Sequence, residues 1–205
     1  MKHFLLIATR NPGKVKEFAA LFSEIGVGVR DLSSVGDDFE PEETGRTFRD
    51  NAVLKAEAYA GRYECFALAD DSGLSVNALG GEPGVYSARF ASRSNAGSGD
   101  AANNAYLLRR LKSVPEEKRT GRFECVLALA GPDGRTIYTT EGSVEGTILR
   151  EPRGENGFGY DPLFLHASGR TTAEMTPDEK HAVSHRGLAS RRLRALLDRH
   201  GLPQL

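Results

Sequence analysis

Short apolar runs alternate with polar, glycine-rich joints along this chain, and the runs follow two periods. Phe4-Leu5-Leu6-Ile7-Ala8 is continuous and ends at the polar Thr9-Arg10-Asn11-Pro12-Gly13-Lys14, which reads as a buried strand followed by a loop. Val15, Phe18, Phe22 and Ile25 recur at helical spacing and predict a helix from Lys14 to Ile25, with Gly26 as its stop. Val27 to Leu32 predicts a second, edge strand, and the acidic stretch from Ser33 to Gly45, which carries Pro41, predicts a loop. Thr47 followed by Asp50 has the form of a capping box. Phe48, Ala52, Ala56, Tyr59 and Ala60 then mark the buried stripe of a helix, with Lys55 on or beside it.

Phe66-Ala67-Leu68-Ala69 runs straight into Asp70-Asp71 and then Ser72-Gly73. We read a buried strand closed by a Ser-Gly turn. Alternation along the strand sends the two carboxylates to opposite faces, at the strand end where open α/β sheets place ligands. Taken alone, the stretch is equally well a polar turn that closes a strand. Further on, Asp100 to Leu111 predicts a helix with Ala105, Leu108 and Leu111 inward, and Ser92 to Gly99 a flexible joint. Phe123 to Ala130 predicts a strand, Pro132-Asp133-Gly134 a hairpin turn, Thr136 to Val144 the returning strand, and Glu145 to Arg150 a further short one. A β-rich middle after a βαβ start implies a mixed sheet. Leu163-Phe164-Leu165 begins another strand. Thr176-Pro177-Asp178-Glu179 is a capping box opening a short helix that carries Lys180, and Ser184 caps a last helix that begins with His185-Arg186.

Composition narrows the class. The chain has 205 residues, 39% hydrophobic and 27% charged, which fits one packed domain over residues 1–205. A net charge of −1 argues against binding nucleic acid through a large positive field. Cys65 and Cys125 lie in apolar runs, outside any Cys-x-x-Cys pair, and are expected to be buried free thiols in a reducing compartment. The first apolar run, Phe4 to Ala8, is too short for a signal peptide's apolar region or a membrane span, so a cytoplasmic protein without a membrane partner is expected.

The polar residues carry the candidate chemistry. A strand–loop–helix start with Lys14 can hold phosphate oxygens, although the loop lacks a Walker A pattern and an ordinary turn with a solvated lysine explains it as well. Phe158 and Tyr160 stand in Gly154-Glu155-Asn156-Gly157-Phe158-Gly159-Tyr160-Asp161-Pro162, where such rings either stack on a base or plug the core. His185 and Arg186 place cations at a positive helix end, which points to a ligand or to a solvated pair. Together these are the parts for hydrolysis of a nucleoside triphosphate: carboxylates bridged to phosphates by Mg²⁺, lysines, a stacking ring and a polar group at the base edge.

Seven collinear motifs resemble the dITP/XTP (inosine triphosphate) pyrophosphatase family. They are Thr9-x-Asn11-x-x-Lys14, Glu42-Glu43-Thr44-Gly45-x-Thr47-Phe48, Asn51-Ala52-x-x-Lys55-Ala56, Ala69-Asp70-Asp71-Ser72-Gly73-Leu74, Gly80-Gly81-x-Pro83-Gly84-x-Tyr86-Ser87-Ala88-Arg89, Gly157-Phe158-Gly159-Tyr160-Asp161-Pro162 and Ser184-His185-Arg186-Gly187. The resemblance implies a two-lobed α/β fold, a long mixed β-sheet flanked by helices with the active-site cleft between the lobes. It also implies a homodimer and Mg²⁺-dependent cleavage of ITP, dITP and XTP between the α- and β-phosphates. By the same resemblance Asp71 is the proton acceptor and a metal ligand, and Glu43 the second metal position. Thr9, Arg10, Asn11, Pro12, Gly13, Lys14, Lys55, Ser72 and Lys180 resemble triphosphate contacts. Phe158 resembles the ring stacked on the base, with Gly159, Tyr160, Asp161, His185 and Arg186 around it. Arg10 stands where the family often has glycine, and Asp50 where it often has glutamate. A Maf-type pyrophosphatase and a non-catalytic nucleotide sensor are the competing expectations.

Overall fold

Strand β3 (Phe66–Val76) is where the fold and the candidate chemistry meet. In the computed structural model, which describes residues 4–23, 27–36 and 38–201, β3 lies third in a six-stranded sheet of order β2-β1-β3-β4-β5-β6. The other strands are β1 (Leu5–Ile7), β2 (Val29–Asp31), β4 (Thr120–Ala130), β5 (Thr136–Ile148) and β6 (Phe164–His166). β1 pairs in parallel with both β2 and β3, while β5 and β6 pair antiparallel, so the sheet is mixed as expected and β2 is an edge. The helices are α1 (Pro12–Ser23), α2 (Phe48–Tyr63), α3 (Gly99–Arg110), α4 (Pro177–Val183) and α5 (His185–His200).

The chain divides into two units, one of Met1–Asp71, Val126–Glu141 and Ala189–Leu205, the other of Ser72–Cys125 and Gly142–Leu188. The core of the first is small-residue packing of Ala52, Ala56, Tyr59 and Ala60 from α2 against Leu6, Ala67, Ala69, Val126, Ala128 and Ala130 of the strands. That of the second gathers Leu74, Val76, Phe90, Leu107, Phe123, Ile148, Leu163 and Phe164.

Both capping boxes form. Thr47 accepts from Asp50 N–H while the Asp50 carboxylate accepts from Thr47 N–H, and Thr176 and Glu179 do the same at α4. The hairpin between β4 and β5 closes through Gly134, whose φ of +72° suits glycine, with Gly134 N–H donating to Gly131 O. The predicted turn at Ser72-Gly73 does not exist: β3 runs through both residues. Gly73 is required for close approach instead, because a Cβ there would lie 2.3 Å from Ser87 Oγ and 2.7 Å from Gly84 O. β5 likewise continues through the break expected after Val144.

Helix α1 begins two residues before the expected Lys14, with Pro12 as its first residue. The expected helix end at Ile25 and stop at Gly26 lie outside the described residues. Of the three residues expected inward near helix α3, Leu111 is buried and Leu108 packs against the core, but Ala105 is exposed. Asn103 and Leu107 are buried instead, with Asn103 bonding Ala91 N–H and Ala88 O. Residues Ser92–Ser94 form a 3₁₀ turn within the segment expected to be flexible, and Tyr106 donates to Ser94 Oγ. Both cysteines are buried thiols outside any disulfide, and no described helix is long and apolar enough to cross a membrane.

Candidate active site

Alternation along β3 assigns its two aspartates to different helices. Asp71 follows Ala67 and Ala69, which pack with α2, and its partners come from α2: Asn51 Nδ2 at 3.2 Å and Lys55 Nζ at 3.3 Å. Asp70, on the other face, pairs with Lys14 of α1. Asn51 and Lys55 are four residues apart and so share one side of α2. Lys55 also donates to Glu43 Oε1 at 2.8 Å and to Asp70 O at 2.9 Å. One ammonium therefore gathers Glu43 and Asp71.

Asn51 was not singled out as a site residue from the sequence. It is fully buried, donates to Asp71 and accepts from Gly45 N–H at 2.8 Å, so it ties the Glu43 loop to the β3 carboxylate. A Cβ at Gly45 would meet Asn51 Oδ1 at 2.4 Å, which explains the glycine. The available signal was an asparagine beside Ala52 on an otherwise apolar helix stripe.

Electrostatics follow from burial. Asp71 has its carboxyl raised above the ordinary aspartate value because burial disfavours the charged form; Lys55 and Lys14 oppose that shift, and Glu43 and Asp70 reinforce it. Burial pulls Lys55 down, but Asp71, Glu43 and Asp70 outweigh it and the ammonium is held above its usual value. Three carboxylates thus face two ammoniums. The excess of hard, anionic oxygen suits a divalent cation such as Mg²⁺, held by few carboxylates together with substrate phosphates. Among the described residues no three of His, Cys, Asp and Glu cluster as a metal cage.

The loop from Thr9 to Lys14 is differently built than a bare amide cradle. Asn11 is the cap of α1: its Oδ1 accepts from Gly13 N–H at 2.9 Å and Lys14 N–H at 3.2 Å. Asn11 N–H in turn donates to Thr9 Oγ1 at 3.2 Å, and Pro12 has no N–H to offer. Arg10 is exposed and donates to Phe39 O at 3.4 Å. What this loop offers a phosphate is mainly side-chain charge, from Lys14 and Arg10.

In the second unit, the glycine-rich loop is held by a buried ion pair. Asp161, 2% exposed, accepts from Lys180 Nζ at 2.6 Å, from Phe158 N–H at 2.8 Å and from Thr172 Oγ1 at 2.8 Å. Phe158 is half-buried with Lys180 Nζ 4.8 Å and Arg186 Cζ 5.7 Å from its ring centroid. Arg186 also donates to Ser72 Oγ at 2.9 Å. His185 is buried and stacks on Phe123, with centroids 4.8 Å apart and planes 16° apart. Tyr160 is a plug, 4% exposed, with its hydroxyl on Ser87 O. Phe158, Asp161, Lys180, Arg186 and Ser72 are thus linked to one another, while the neighbouring Tyr160 and His185 are held by Ser87 and Phe123.

The Ham1 family model matches residues 5–196. The dITP/XTP pyrophosphatase of Bacillus subtilis is 50% identical over 194 residues, covering 94% of this chain and 96% of that protein. That of Geobacillus kaustophilus is 52% identical over 190 residues, covering 92% and 91%. Among solved structures, the Staphylococcus aureus Ham1 protein superposes with a TM-score of 0.82 at 41% identity, covering 95% of this chain and 97% of that one. A HAM1 protein from Coxiella burnetii gives 0.84 at 38% identity, covering 96% and 99%. With a family model spanning nearly all of its length and relatives at half identity over more than nine-tenths of it, this chain belongs to the Ham1 family.

Proposed function

We propose that this chain is a Mg²⁺-dependent pyrophosphatase of non-standard purine nucleoside triphosphates, cleaving ITP, dITP and XTP to the monophosphate and pyrophosphate, and that it works as a cytoplasmic homodimer. The observation that carries the reading is Lys55, whose single ammonium lies 2.8 Å from Glu43 and 3.3 Å from Asp71 and draws two acids from separate elements together. The half-identical relatives named dITP/XTP pyrophosphatase support the choice of substrate.

Glu43 and Asp71 would hold the Mg²⁺ ion, whose charge neutralises phosphate oxygens. Asp71 accepts the proton of the attacking water, with its carboxylate held in place by Asn51 and Lys55. Lys14 and Lys55 then carry phosphate charge, and Asn51 keeps the Asp71 carboxylate oriented. Phe158 stacks on the purine. Arg186 has only hydrogen-bond donors, so it matches the 6-oxo acceptor of hypoxanthine or xanthine and meets a like donor in adenine.

Pyrophosphate release is measured for ITP, XTP, dITP, ATP and GTP with Mg²⁺ and after chelation. The expected result is selective turnover of ITP, dITP and XTP that chelation abolishes. Comparable rates on ATP or GTP would sink the substrate assignment, and full activity in chelator would sink the role of the metal.

A further inference from the structure

Helix α3 holds the residue that follows Phe158 from both sides. Gly159 N–H donates to Asp100 Oδ2 at 2.6 Å, and Gly159 O accepts from Asn104 Nδ2 at 2.9 Å. Asp100 and Asn104 are four residues apart on α3, so they present a carboxylate and an amide on one side of the helix. We propose that Asp100 and Asn104 are positioning residues that fix the ring of Phe158 for purine binding; this rests on the reading that Phe158 stacks on the base.

Three observations carry it. Phe158 lies between two glycines with φ of +78° and +63°, so its own chain offers little stiffness and the anchors must come from elsewhere. The anchors sit on both of its peptides. Its own N–H is held by Asp161, and the next N–H by Asp100. With both neighbouring peptides fixed, only side-chain rotation remains, and Lys180 and Arg186 frame it.

Asn104 supplies the third observation. Its Oδ1 is the buried side-chain polar atom that lacks a hydrogen-bond partner among the described residues. An orphaned buried acceptor calls for a reason. Flipping the amide would turn Oδ1 toward Gly159 O, acceptor against acceptor, so the donor contact to the loop dictates the orientation and the orphan follows from it. α3 is itself anchored, because Asn103 bonds Ala88 O and Ala91 N–H, and the loop is tied down again where Tyr160 donates to Ser87 O. The loop is therefore set on a rigid element, as a selective binding site requires.

The test compares Asp100→Ala, Asn104→Asp and their combination with Asp100→Asn, which keeps an acceptor for Gly159 N–H. KM and kcat are measured for ITP and ATP, with the inhibition constant of inorganic tripolyphosphate, and hydrogen exchange is followed over residues 154–162. We expect the combined variant to raise KM for ITP about tenfold, a part of what a base stack contributes. kcat should stay within about twofold, the ITP-to-ATP preference should narrow, tripolyphosphate inhibition should be unchanged, and Asp100→Asn should restore most of the affinity. A merely structural role would weaken tripolyphosphate binding in step with ITP, and that result overturns the proposal, as does an unchanged KM for ITP. A wild-type protein inert toward ITP would overturn the proposed activity instead. Exchange then decides on the clamp by itself: faster exchange over the loop in the variants upholds it, and unaltered exchange removes it.

Discussion

Lys55 Nζ lies 3.3 Å from Asp71 Oδ1 and, from the same position, 2.8 Å from Glu43 Oε1. A cation already occupies the point where two acids converge, so the site is built for positive charge before any metal or substrate arrives. Asp71→Asn keeps the shape and the hydrogen-bonding capacity of the side chain but removes its basicity. The expected outcome is a kcat for ITP lower by roughly 10²–10⁴-fold, the usual span for losing a general base, with nucleotide binding largely kept. Steady-state kinetics beside equilibrium titration of ITP in Ca²⁺ reads both. Equal turnover in the variant would take Asp71 out of the mechanism.

The direction of the pH response follows from the same pair. Burial raises the Asp71 carboxyl and Lys55 counteracts it, so Lys55→Met must move Asp71 further up. In the metal-free protein the carboxyl then gives up its proton only at higher pH. The folded protein binds this proton more tightly than the unfolded chain. Asp71's contribution to stability is therefore present at pH below the ordinary carboxylate value and is lost as pH rises through its folded value. Lys55 is also raised, so its contribution is present below pH 10.5 and lost above it, as pH passes through its folded value. Carbon-13 titration of the Asp71 carboxyl in metal-free wild type and Lys55→Met checks the shift. An unmoved or lowered titration in the variant would contradict the assignment of Lys55 as the opposing charge.

Much of this site was legible before any coordinates. The alternation that separates Asp70 from Asp71 and both capping boxes are local signals that the fold obeys, whereas the two aspartates lie within β3 rather than at the strand end expected for them. Reading Ser72-Gly73 as a turn failed because glycine has two uses, and the one that applies here, room for Ser87 Oγ, depends on a residue 14 positions away (87 − 73). Asp100 and Asn104 escaped notice, and Asn51 stood in a motif without a role, for a related reason. Each is an ordinary polar residue on a helix, and its importance comes from a loop brought to it by tertiary packing. Helix α3 shows the opposite error, since Asn103 takes an inward place that apolar spacing would give to leucine or alanine.

Gly157 allows the loop to come within hydrogen-bonding reach of Asp161. A Cβ there would lie 2.1 Å from Asp161 Oδ2, on a residue with φ of +78°. Gly157→Ala therefore adds left-handed backbone strain of about 1–2 kcal/mol and pushes the carboxylate that holds Phe158 N–H and Lys180. We expect KM for ITP to rise about tenfold or more while tripolyphosphate still inhibits as in wild type. Phe158→Ala should do the same through loss of stacking, worth about 1–3 kcal/mol per base. Wild-type KM in both variants would show that the loop does not meet the purine.

Arg119 is a buried cation with a structural role. It is 1% exposed, and its guanidinium donates to Ile148 O at 2.8 Å, Leu111 O at 2.7 Å and Leu149 O at 2.8 Å, so one buried cation joins the end of α3 to the end of β5. Burial and the neighbouring Arg150 lower its proton affinity, yet a guanidinium stays charged, and three carbonyl dipoles are what offset its desolvation. Arg119→Leu leaves those three acceptors without their donor, at about 1–3 kcal/mol for each that water does not reach. We expect a loss of about 3 kcal/mol or more, read as a Tm lower by roughly 6–12 °C for a chain of this size. Arg119→Lys should fall between, because an ammonium cannot reproduce the planar fork. At temperatures where the variant remains folded, kcat for ITP should stay close to wild type, since Arg119 touches none of the groups assigned to substrate. A variant with unchanged Tm would mean that water or local movement satisfies the three carbonyls without the arginine.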